Sequence, residues 1–258
     1  MKVYEQIYFA LIVFLVGVAA IAIQFRNHLF IQKVKNTPTS KVSAVALGLV
    51  ELSGTAEFSE QMVSPISKVP CVYWKINASY HTRGTHGTWK QFYTSESFSA
   101  FYLKDETGKI LISPAGARIY LTADKEFRGT ISGDILFSIS SKTKLSNEAM
   151  GYINSLDEKR KNLFYKYGKG SLSIEEYYIA NNDHLYIIGN AEQIEGASSS
   201  IGCENLVIKK GKSDKTMFIS DKSEKLVLQS HSSLWRVIIG AVCSIIGLIM
   251  ILMIFNVK

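Results

Sequence analysis

Two stretches without a charged residue, one near each end of the chain, limit the folds open to it more than any other feature. Twenty residues from Gln6 to Phe25, between Glu5 and Arg26, and twenty-one from Val237 to Val257, between Arg236 and Lys258, pass without a charge. A bilayer core of about 30 Å takes roughly 20 helical residues at 1.5 Å each, so each stretch is expected to form a transmembrane helix. A cleaved signal peptide is the competing reading of the first, with Ala20-Ile21-Ala22 as the small-residue site. Its apolar run outlasts the usual signal core of about 7–15 residues, and the tip carries only Lys2 against Glu5. A buried core helix competes for the second, but that segment is apolar on every face and is followed by Lys258.

Positive charge near the two stretches orients them. Arg26, Lys33, Lys35, Lys41, Lys222, Lys225 and Arg236 lie on the side of the intervening region, against Lys2 and Lys258 on the other. This bias places the intervening domain on the cytoplasmic side of an integral membrane protein with two spans, although long segments obey the rule weakly. Residues 25–235 hold 26 of the 29 Lys and Arg and 21 of the 22 Asp and Glu, a net charge of +5, which reads as a solvated surface. Basic residues close to the membrane would also favour anionic lipid, making the bilayer a partner. No motif supports a nucleic-acid partner.

Between the stretches the pattern is that of a sheet-rich domain, expected over residues 36–230. Val42–Glu51 is rich in β-formers, Cys71–Tyr80 alternates, and the glycine-marked turn at 83–87 leads into Trp89–Thr94 as a hairpin partner. Phe98–Leu103 and Lys109–Ile112 flank the turn Asp105-Glu106-Thr107-Gly108 as a second hairpin. Strands are expected again at Glu175–Ala180, Leu185–Gly189, Leu206–Lys209, Met217–Ile219 and Lys225–Leu228. One helix interrupts them, Ser146–Phe164, with Ser146 or Asn147 as N-cap and Gly168 and Gly170 as the stop. The fold class is therefore a membrane-anchored, mostly β, α+β chain: transmembrane helices at 6–25 and 237–257 flank one sandwich- or barrel-like domain.

Chemistry is sparse. Of the five histidines, His28, His81, His86, His184 and His231, only His81 and His86 are close in sequence, around a glycine turn that reads as surface loop. Adjacent Glu175 and Glu176 project to opposite faces of a strand and read as solvated charge. The aromatic series Tyr73, Trp74, Tyr80, Trp89, Phe92, Tyr93, Phe98, Phe101 and Tyr102 reads as sheet core in preference to a stacking platform. Cys71, Cys203 and Cys243 form no CxxC pair, and only the first two could bridge within the intervening domain. No catalytic, cofactor-binding or metal-binding residue is assigned and no cofactor is expected. Gly17 with Ala20, and Gly240 with Ser244 and Gly247, are small enough to let helices approach, including helices of two copies in a homo-oligomer. Pro38, Gly48, Gly54, Pro65, Gly108 and Gly189 read as turn and bulge positions.

Several segments, in order, resemble the GIDE family of membrane-anchored proteins. These are Asn36–Lys41 with Val42–Gly54, Ser64-Pro65-Ile66-Ser67, Cys71-Val72-Tyr73, Phe101–Gly108 with Ile110–Ile112 and Pro114, Glu176–Ile179, Leu185–Gly189, and Phe218-Ile219-Ser220 with Ser223-Glu224. The resemblance implies that family's domain between two membrane helices. Its best-known members are mitochondrial ubiquitin E3 ligases in which a RING zinc domain follows the second helix, with the shared domain in the intermembrane space. A RING takes about eight Cys and His ligands, which this sequence does not supply after Val257, so the chain is similar to prokaryotic members without RING. The resemblance accordingly implies a non-enzymatic membrane-anchored scaffold or sensor, in a membrane-stress response, binding a membrane or stress-response protein through its β-rich domain. A ubiquitin-ligase-like protein working with a RING on another chain is the alternative, and an enzyme with a site assembled only in three dimensions is a third.

Overall fold

The structure is a computed structural model and describes residues 3–36, 39–82, 87–131, 144–194, 205–212, 215–222, 240–242, 244–246, 248–250 and 253; within 3–36, side chains are described for 8–23 and 25. It divides into two compact units, residues 1–38 with 223–258, and residues 39–222.

The first unit contains helix α1, Val3–Asn36, and helical residues at 240–242, 244–246 and 248–250. The expectation of two transmembrane helices is overturned: among the described residues, no helix is long and apolar enough to cross a membrane. The assignment as an integral membrane protein with two spans and a cytoplasmic-side domain falls with the helices that carried it. The small residues do meet, within this one chain. A Cβ added at Gly17 would lie 2.3 Å from Ser244 Oγ and 2.8 Å from the Gly240 carbonyl oxygen, and one at Gly240 would lie 3.2 Å from Ala20 Cβ. Gly247 is outside the described residues.

Among the described residues of the second unit, thirteen strands occur in chain order: β1 Thr39–Ser40, β2 Gly48–Glu57, β3 Met62–Val63, β4 Pro70–His81, β5 Trp89–Glu96, β6 Phe101–Lys104, β7 Lys109–Ile112, β8 Arg118–Tyr120, β9 Lys125–Gly129, β10 Leu172–Ala180, β11 His184–Gln193, β12 Leu206–Lys209 and β13 Phe218–Ser220. Helices α2, Asn147–Ser155, and α3, Glu158–Tyr167, precede β10. Five strands close on themselves. β2 pairs β6, β6 pairs β7, β7 pairs β12, β12 pairs β11, and β11 returns to β2 from His184↔Thr55 to Ala191↔Gly48. Alternation in β2 sends Val50, Leu52 and Ala56 into this barrel, where they meet Phe101, Leu103, Ile110, Ile112, Leu185, Ile187 and Ile208. Gly54 sits where β2 and β6 crowd together, and a Cβ there would lie 2.4 Å from the Lys104 carbonyl oxygen.

The other sheet is an open half-barrel in the order β3-β4-β10-β9, with β5 also paired to β4. One face packs on α2 and α3 through Ile76, Ala78, Tyr93, Ile153, Phe164, Leu172 and Ile174. A bulge in β5 between its partners Ala78 and Ser79 leaves Phe92 unpaired beside Tyr93. Both rings pack on Phe164, with centroids at 5.2 and 4.9 Å, and the Tyr93 hydroxyl lies 2.9 Å from that of Tyr152.

The helix expected over Ser146–Phe164 is two helices. Ser146 caps the first by accepting from Ala149 N, Leu156 is extended, and Asp157 starts the second by accepting from Arg160 N at 2.9 Å. Val42–Ala44, expected as strand, is a single 3₁₀ turn, held where Val42 N donates to Asp105 Oδ2 at 2.9 Å. The strand expected at Lys225–Leu228 lies outside the described residues.

The Asp105 carboxylate also accepts from the Thr107 and Gly108 N–H groups and the Thr107 hydroxyl. Burial pushes its pKa up, but the Thr107 hydroxyl and the three backbone donors outweigh that and leave it below the ordinary 3.8. A depressed folded pKa contributes stability that is fully present above the unfolded value and is lost as pH falls through the folded one. Asp105→Asn is therefore expected to lower stability by about 1 kcal/mol at pH 7, with the deficit shrinking below about pH 4, as measured by urea unfolding across pH. Gly54→Ala is expected to cost about 1–3 kcal/mol in the same assay, because the backbone of β6 must move to admit the methyl group.

Candidate functional site

The side of the half-barrel away from α2 and α3 is lined by polar side chains at alternate positions, as the two-residue period of a strand dictates. On β4 these are Lys75, Asn77 and Ser79. Opposite them stand Glu96, Thr94 and Gln91 on β5, and Tyr177, Glu175 and Ser173 on β10. Glu126 and Arg128 continue the rows on β9.

Two sets of hydrogen bonds tie them together. Gln91 donates to Thr94 and Thr94 Oγ1 to Asn77 Oδ1 at 3.0 Å, and beside them the Tyr177 hydroxyl donates to Glu175 Oε2 at 2.7 Å. Burial, followed by the Glu175 carboxylate, pushes the Tyr177 phenol up to about 12, so it stays a donor at neutral pH. Next to these, Glu126 Oε1 accepts from Ser173 Oγ at 2.7 Å and from Arg128 Nε, and these bonds hold its carboxyl below the usual range. Arg128 reaches back across the sheet to within 5.7 Å of the Trp89 ring centroid, spanning the gap from β9 to β5. At the other end, Glu96 Oε2 accepts the Tyr73 hydroxyl at 2.6 Å and lies 3.7 Å from Lys75 Nζ. Between this face and residues 119–121 lies a crevice of about 160 Å³, lined by Lys75, Asn77, Ile119, Tyr120, Leu121 and Tyr177.

Glu175 and Glu176 do project to opposite faces, but Glu176 is not solvated charge. It is fully buried, and its carboxylate accepts from Ile66 N at 2.8 Å and from Ser67 N at 3.0 Å. Those donors belong to a tight loop in which the Ser64 hydroxyl accepts from Val69 N and Lys68 is left-handed at φ 58°. The strand pattern could not show this, because a loop far along the chain supplies the donors. Cys71 is buried and unbridged, and burial together with the Glu176 charge pushes its thiol up to about 12, leaving it unreactive at neutral pH. Cys203 and Cys243 lie outside the described residues.

His81 packs edge-on against Trp89 at 5.3 Å, His184 Nε2 lies 3.3 Å from Ser53 Oγ at the rim of a separate cleft, and the side chains of His28, His86 and His231 lie outside those described. Among the described residues, no group of three His, Cys, Asp or Glu is placed to hold a metal ion. The aromatic series is divided. Phe101 fills the barrel, Tyr80, Phe92 and Tyr93 pack toward α3, and Trp89 and Phe98 are exposed. Sequence reading passed over Lys75, Asn77, Thr94, Glu96 and Tyr177, although the alternation of Lys75, Asn77 and Ser79 between apolar neighbours marks one polar face.

No family model, curated protein or solved structure matches the chain. Glu176→Gln is expected to lower stability by about 1–3 kcal/mol, since one amide group turns an N–H toward the loop's own donors; chemical denaturation measures the loss.

Proposed function

We propose that the chain is a non-enzymatic scaffold or sensor that receives a protein partner on the polar face of its half-barrel. The observation that carries this reading is the row of bonded side chains, Gln91 to Thr94 to Asn77 and, beside it, Tyr177 to Glu175, on which Gln91 and Thr94 stay exposed. Side chains fixed before binding lose little rotamer freedom on contact, which favours recognition. Each carboxylate on the face is tied to a hydroxyl or a cation, an arrangement that suits a fixed binding surface better than proton transfer.

The resemblance to the GIDE family belongs to the same proposal. Its segments around Gly54, Leu103, Ile110, Leu185 and Ile219 contribute to one sheet, and its Ser64–Ser67 segment is held by Glu176 of another.

The test is site-specific photocrosslinking in cells of origin. A photoreactive residue at Gln91 or Thr94 is expected to give one common adduct, absent when the probe replaces the exposed Lys159 on α3 and lost when Glu175→Lys is added. Equal adducts from Lys159, or none from the face, would overturn the proposal.

A further inference from the structure

The crevice at the end of the polar face has a chemistry of its own. Its volume of about 160 Å³ falls short of the roughly 300–1,000 Å³ of pockets that hold a whole small molecule, and suits one side chain or one chain end. Among the described residues that line it, Lys75 is the only charged one. The Lys75 ammonium is only loosely occupied. Glu96, its nearest carboxylate at 3.7 Å, makes its short bond of 2.6 Å to the Tyr73 hydroxyl instead. Lys75 carries three donors and its side chain is about one-quarter exposed (27 %), so it is partly shielded from water yet reachable. Asn77, which accepts from Thr94, and Tyr177, which donates to Glu175, form a fixed polar wall, while Ile119 and Leu121 supply an apolar one.

A half-buried cation between a polar and an apolar wall is complementary to an anion on a short apolar body. We propose that this crevice binds a carboxylate of the partner, from an acidic side chain or a chain terminus, with Lys75 as its counter-ion and Ile119 and Leu121 against its hydrocarbon part. The inference rests on the partner-binding reading above and specifies its chemistry. A single ammonium suits a carboxylate, whereas phosphate groups are usually met by several donors or by a bidentate arginine.

Four small probes test it on the full-length protein by ligand-observed nuclear magnetic resonance. N-acetyl-leucine presents a terminal carboxylate, N-acetyl-glutamic acid α-amide a side-chain carboxylate, N-acetyl-leucine amide no charge, and leucine amide a cation. At least one carboxylate probe is expected to saturate the protein, with the neutral and cationic probes about tenfold weaker or worse. The better of the two acids identifies the source of the carboxylate. Lys75→Met is expected to weaken that probe about tenfold or more, while Lys75→Arg stays within about threefold, which separates loss of charge from loss of fold. Saturation by neither acid, equal binding of the neutral amide, or unchanged binding in Lys75→Met would overturn the proposal. If crosslinks from Gln91 and Thr94 persist in that case, the face is still a docking surface and only the carboxylate assignment fails.

Discussion

The ladder between β2 and β11 is the constraint on which the second unit depends. Eight residue pairs from His184↔Thr55 to Ala191↔Gly48 convert a row of strands into a closed ring, leaving the ring itself without an edge. Closure sets what each strand can carry. Val50, Leu52, Leu185 and Ile187 must be apolar because they face one another inside, and Gly54 must be small because the β6 carbonyl lies against it. The two long strands also extend beyond the ring. β1 adds to the edge of β2 that also carries β6, while β13, with β8 behind it, adds to the edge of β11 that carries β12.

The half-barrel divides its labour by face. Apolar residues on one side bury α2 and α3, and the bulge at Phe92 turns two successive aromatic residues of β5 toward them. The other side is then free to carry hydroxyls, amides and charges. Glu176 shows how strict the division is, since a carboxylate placed on the buried side remains there only because the Ser64–Val69 loop presents backbone donors to it. On the open side, Thr94 donates to Asn77 and Tyr177 to Glu175, in a geometry that comes from the β4, β5 and β10 registers. The proposed binding role and the Lys75 crevice both draw on that rigidity.

Legibility in the sequence tracked the range of the interactions. The strands at Cys71–Tyr80, Trp89–Thr94, Lys109–Ile112 and Leu206–Lys209 show in their composition and alternation, and the structure places strands there. β8 and β9 give no such signal, being three and five residues long and largely polar. The helix break at Leu156 is hidden because no proline or glycine marks it, and Asp157 acts there as a second N-cap. The candidate face is half visible in Lys75, Asn77 and Ser79, but its other members come from β5, β9 and β10, and no local pattern connects them.

By itself, then, the sequence determined the β-rich character of residues 39–222, several strand positions and a helix start at Ser146 or Asn147, since side-chain alternation and local hydrogen bonding act over a few residues. Tertiary structure decided the rest: barrel closure, the burial of Glu176, the meeting of Gly17 with Ser244 within one chain, and the assembly of Lys75, Asn77, Tyr177 and Glu175 into one surface. It also set aside the two transmembrane helices, for the charge-free stretches show hydropathy alone, whereas a span requires an apolar helix of sufficient length, and the described residues contain none. The physical reason is common to these cases. Pairing partners and buried donors are properties of groups distant along the chain, and composition over a short window does not carry them.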